Sequence, residues 1–168
     1  MERFVREQMA FAALGEADIA LILRTAPLVL AHESELTAAL YDHFLGFPAT
    51  AAFFLGADSA PDRERIERRK HSLARWLRDT AEVTTGEGFV YYLLGVALSH
   101  SHRGQRPGGR IPPQFIVGAM SLTQTAVAAA LQAGLPDARD ALAAATAWNK
   151  LLLVQLNVLL LGYLLPPN

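Results

Sequence analysis

Nine prolines divide this 168-residue chain into segments that each carry helical spacing. Proline lacks the amide hydrogen that a helix interior needs, so Pro27, Pro48, Pro61, Pro107, Pro112, Pro113, Pro136, Pro166 and Pro167 are read as helix edges. No segment between them alternates apolar and polar residues as a half-buried strand does, and alanine and leucine dominate over β-branched residues. The pattern predicts helices over 18–24, preceded by a short one over 4–13, and over 27–47, where Leu36, Leu40 and Phe44 share a stripe. A short helix or turn follows over 48–55. Further helices are expected over 63–81, with Ile66, Leu73 and Leu77 inside, and over 89–102, 113–132 and 136–165. With no internal repeat and no linker, residues 1–168 read as one all-α domain.

Composition removes several classes of function. A chain that is 52% hydrophobic and 18% charged is not intrinsically disordered. The absence of cysteine excludes disulfide frameworks, thiolate zinc sites, iron–sulfur clusters and cysteine nucleophiles. A formal net charge of −1 gives no global basic field for nucleic acid. The cluster Arg63, Arg65, Arg68, Arg69 and Lys70 alternates with Glu64 and Glu67, as a solvated helix face does. The basic loop with Arg103, Arg106 and Arg110 lacks interleaved aromatics, so no nucleic-acid partner is expected. Charges at Glu2, Arg3, Arg6 and Glu7 oppose a signal peptide and point to the cytoplasm. The apolar run 151–165 is short for a bilayer and is interrupted by Gln155 and Asn157, so no membrane insertion is expected.

Histidine is the remaining strong ligand. His32, His43 and His71 have polar or charged neighbours, whereas His100 follows Val96, Leu93 and Phe89 by four, seven and eleven residues and shares their apolar face. Two readings stay open for it: a core histidine bonded to a backbone carbonyl, or an axial haem ligand with arginines nearby for the propionates. His102 projects about 200° away on the same helix, so the two cannot easily chelate one ion. No phosphate loop, nucleophile elbow or catalytic carboxylate pair is present.

Four segments in order resemble the haem globins of the protoglobin and globin-coupled sensor group, over nearly the whole chain. The stretch from Leu36 through Tyr41-Asp42-His43-Phe44-Leu45 to Pro48 is similar to the group's second-helix signature. Arg69-Lys70-His71-Ser72-Leu73-Ala74-Arg75-Trp76-Leu77 is similar to its distal helix. Phe89-Val90 and Val96-Ala97-Leu98-Ser99-His100 look like the helix bearing the proximal histidine, and 111–120 resembles the start of the next helix.

The resemblance implies a globin fold of roughly seven or eight helices with an additional N-terminal helix. It also implies haem b (iron protoporphyrin IX) bound by Tyr41, Phe44, Arg69, Ser72, Leu73, Leu77, Leu93, Val96, His100 and Phe115. His100 would be the iron ligand, with His102 as the alternative, and Tyr41 the distal tyrosine. Phe53, Phe54, Phe89 and Met120 are further wall candidates. Leu73 offers no second ligand, which implies a five-coordinate haem with an apolar distal side. The expected function is sensing of O2, and also of CO or NO, signalled through a homodimer of the last two helices (114–132 and 139–165) to an output domain or partner. A stand-alone protoglobin-like gas binder and a haem-less globin-shaped interaction module are the alternatives. No distal His–Arg acid/base pair is assignable, so binding rather than catalysis is expected.

Overall fold

The computed structural model describes residues 1–102 and 109–165, apart from the side chain of Glu87. Among the described residues eight α-helices run in the order α1 (Glu2–Phe11), α2 (Glu16–Leu30), α3 (Glu33–Gly46), α4 (Pro48–Ala51), α5 (Arg63–Ala81), α6 (Glu87–Ser101), α7 (Pro113–Gly134) and α8 (Ala138–Leu164), with a 3-10 turn at Ala52–Phe54 after α4. Among the described residues the only extended pairing is an isolated bridge between Leu55 and Pro61. The all-α reading holds.

Local chemistry sets four of the helix starts. Asp62 caps α5 by accepting from the backbone N–H of Arg65 at 3.0 Å. Asp137 caps α8 through the N–H groups of Arg139 and Asp140. Pro48 and Pro113 each open a helix, where the missing N–H has no helical partner anyway.

Pro27 does not behave that way. It lies inside α2, which runs on to Leu30, so the predicted helices over 18–24 and 27–47 are redrawn. The break falls at Ala31 and His32 instead. Pro27 sits on the exposed face of α2 with Leu23, so water can satisfy the carbonyl that lost its helical donor. Pro107 and the arginines Arg103 and Arg106 lie outside the described residues, as do Pro166 and Pro167.

The core gathers around α8, which packs on α7, α6, α2 and α1. Its buried positions Ala141, Ala144, Ala147, Trp148, Leu151, Leu152 and Gln155 repeat at three and four residues, one wide helical face. Trp148 is fully buried and its indole N–H donates to Thr25 Oγ1 at 3.0 Å. Helices α7 and α8 are long and apolar enough to cross a membrane by length and composition alone. At 27 residues α8 matches the long helix expected over 136–165, and half of its most apolar window is buried within the protein.

One crossing fixes the end of α6. A Cβ added at Gly162 of α8 would stand 2.5 Å from Ala97 Cβ and 3.0 Å from the Ala97 carbonyl carbon, so only glycine allows the two helices to meet there. Ser101 Oγ donates to the Gly162 carbonyl at 2.7 Å beside that contact. The carbonyl of His100 accepts from Ile111 N at 3.0 Å, which ties the start of the next segment to the same helix end.

Candidate functional site

A cavity of about 280 Å³ opens between α3, α5, α6 and α7, closed by the aromatic turn after α4 and by Leu159 of α8. That size is at the lower edge of the roughly 300–1,000 Å³ typical of ligand sites. Tyr41, Phe44, Arg69, Ser72, Leu73, Leu93, Val96, His100 and Phe115 all line it. So do Phe53, Phe54 and Met120. Leu77 and Phe89 do not: Leu77 is fully buried in the core behind the wall, and Phe89 stacks on Tyr92 with ring centroids 6.0 Å apart.

His100 is the one histidine on the cavity wall. Its Nδ1 lies 2.6 Å from the Val96 carbonyl oxygen, and a carbonyl can only accept, so Nδ1 carries the proton and Nε2 the lone pair. A structural histidine makes this bond to a carbonyl; so does a metal-ligating one, where it orients the ring and raises basicity. His102 ends α6 outside the lining. Ser101 Oγ gives its proton to Gly162, so His102 Nδ1 must donate to Ser101 Oγ, 2.7 Å away. Among the described residues no group of three or more His, Asp or Glu side chains converges as a metal site.

The opposite wall is aromatic. Tyr41 is buried and meets Phe44 and Phe54 edge to face, each at 5.7 Å between centroids. Phe53 and Phe115 pair at 6.2 Å. The smaller hydroxyls on the lining turn away to backbone carbonyls: Thr50 to Phe44 at 2.6 Å, Ser72 to Arg68 at 3.1 Å and Thr123 to Ala119 at 2.9 Å. Their donors are engaged, so the lining behaves as more apolar than its composition suggests.

Sequence reasoning passed over several wall residues. Tyr92 stands four residues before Val96 and eight before His100, so the stripe already found extends to it. Burial pushes its phenol above the usual tyrosine range, against the pull of Arg75, whose guanidinium lies 5.8 Å over the ring. It is a neutral hydroxyl beside Ser72. Trp76 continues the stripe of Arg69, Ser72 and Leu73, and Ala119 and Thr123 continue that of Phe115. Leu40, Thr50, Ile111, Ile116 and Leu159 complete the lining, and for Leu159 no local signal exists, because only the packing of α8 brings it there.

Comparison with known proteins gives a consistent answer. The globin domain of a Geobacter sulfurreducens globin-coupled sensor superposes with a TM-score of 0.78 at 19% identity, covering 94% of this chain and 96% of that one. The globin domain of E. coli DosC superposes in its ferric form with a TM-score of 0.74 at 13% identity, covering 94% and 98%. Its ferrous form gives 0.74 at 14% identity, covering 94% and 97%. At such identities the likeness shows the globin fold. No curated protein matches the chain significantly. A family profile described as Protoglobin matches residues 1–165, and the chain, almost from end to end, belongs to the protoglobin family.

Proposed function

We propose that this chain binds haem b in the cavity and serves as a sensing module for a diatomic gas, with O2 as the leading ligand. The observation that carries the reading is the 2.6 Å bond between His100 Nδ1 and the Val96 carbonyl, which makes Nε2 the basic nitrogen of a cavity-wall imidazole. The remaining residues fit the group: an apolar, aromatic lining for the porphyrin and Arg69 as a cation for its carboxylates. When bound, haem supplies a ferrous iron that takes up a small gas reversibly.

Every other part belongs to the protein. His100 would hold the iron through Nε2. Phe44, Phe54, Leu73 and Val96 would exclude water from the group, and Leu73 would offer it no ligand. Tyr41, buried on the aromatic wall, would donate a hydrogen bond to a small ligand held there. Burial makes that donor stronger than it would be in water.

The same reading includes a homodimer through α7 and α8. Leu142, Thr146, Asn149 and Leu153 are exposed at helical spacing along one face of α8, with Leu142 69% and Leu153 41% accessible. That ridge borders a groove lined by Gln124, Ala128 and Ala145. Signalling through this face to an output domain or partner, in the cytoplasm, follows from the sensor role. The deciding experiment is an absorption spectrum of the purified protein offered hemin, reduced, then exposed to O2 and CO. A Soret band that shifts with each gas is expected; a colourless protein overturns the reading and leaves a haem-less interaction module.

A further inference from the structure

Gln155 sits on the buried face of α8 and is only 4% exposed. Its Oε1 accepts from Trp76 Nε1 at 2.8 Å and lies 3.1 Å from Thr80 Oγ1, which also donates to the Trp76 carbonyl at 2.7 Å. Its Nε2 has no hydrogen-bond partner among the described residues. The indole N–H can only donate, so the amide cannot turn over to relieve Nε2 without setting donor against donor. A buried donor left unpaired is unfavourable, and leucine would fill the position without one. Leucine would, however, strand the buried Trp76 N–H, so what glutamine supplies is the acceptor that ties α8 to α5.

The location of that link suggests what it serves. Trp76 lines the cavity from α5, and Leu159, one turn beyond Gln155, lines it from α8. Helix α5 packs on α2 and α3, and α8 on α7, α6, α2 and α1, so this bond joins two helices that otherwise touch little. The opposite face of α8 carries the exposed leucines Leu142 and Leu153. We propose that Gln155 is a positioning residue that couples occupancy of the cavity to α8 through the Trp76 indole. A hydrogen bond is directional, so a small displacement of the indole by a cavity ligand tightens or breaks it.

The inference rests on the haem reading above, and the test separates the two. Wild type, Gln155→Leu and Gln155→Met are compared with and without hemin by backbone hydrogen exchange, with Soret absorbance recorded on the same samples. Gln155→Met keeps the length of the side chain without an amide acceptor, so it keeps the test available where Gln155→Leu folds poorly. In wild type, haem is expected to slow exchange over residues 150–160 by about tenfold or more, against less than about threefold in the variants. Slowing in α6 around His100 is expected in all three. Variants that bind haem and keep the full slowing in α8 overturn the coupling while the haem reading stands. A wild type that stays colourless overturns the haem reading and the coupling with it.

Discussion

His100 Nδ1 and the Val96 carbonyl oxygen stand 2.6 Å apart, one turn along α6, and that single bond decides which face of the imidazole is basic. Replacing His100 by alanine is expected to abolish stable haem uptake, read as loss of the Soret band in a hemin titration. His102→Ala is expected to keep it, because His102 lies off the cavity wall and bonds Ser101. The reverse pattern would move the iron ligand to His102.

Tyr41→Phe retains the ring that packs on Phe44 and Phe54 and removes only the hydroxyl. A hydrogen bond to a partly charged acceptor contributes about 1.5–3 kcal/mol, so O2 dissociation should quicken about tenfold to a hundredfold. Stopped-flow measurement of the off-rate checks this; an unchanged rate removes the proposed role.

Gly162→Ala forces a methyl group against Ala97 at the crossing of α6 and α8. The expected cost is about 1–3 kcal/mol of stability, typical of overpacking, measured by urea unfolding of the haem-free protein. Ala97→Gly in the same background should restore part of it.

Asp18 predicts a pH dependence. Partial burial pushes its carboxyl up, but hydrogen bonds from Lys150 and from the Gly15 N–H, with the charge of Lys150, outweigh this and hold it below the usual carboxylate range. A group whose pKa is lower in the folded state stabilises above its unfolded pKa and loses that contribution as pH falls through the folded one. Asp18→Asn should therefore destabilise by about 0.5–1 kcal/mol at neutral pH. The difference from wild type should vanish below the carboxylate range, as urea midpoints across pH would reveal.

The exposed ridge of α8 gives a last prediction. Leu142→Arg with Leu153→Arg places two charges on it without touching the cavity. Dimer dissociation should rise at least about tenfold, by light scattering across concentrations, while the Soret band stays unchanged. Leu160 is a poorer probe, since it is half-buried and packs on the core.

Periodicity and prolines made the helices readable because they are local properties: Pro48 and Pro113 open helices, and the apolar stripes of α5, α6 and α8 repeat at three and four residues whatever surrounds them. The stripe ending at His100 was legible for the same reason. Pro27 was not, since its tolerance inside α2 depends on which face of that helix meets water. Leu77 and Phe89 carry the right spacing yet miss the cavity, because a helix stripe is wider than the slot it faces. Tertiary structure alone decided that Leu159 reaches the cavity, that Gly162 lets α6 lie against α8, and that Gln155 meets Trp76 from 79 residues away. Sequence spacing sets the direction in which a side chain leaves its own helix; what it meets depends on where another helix has been packed.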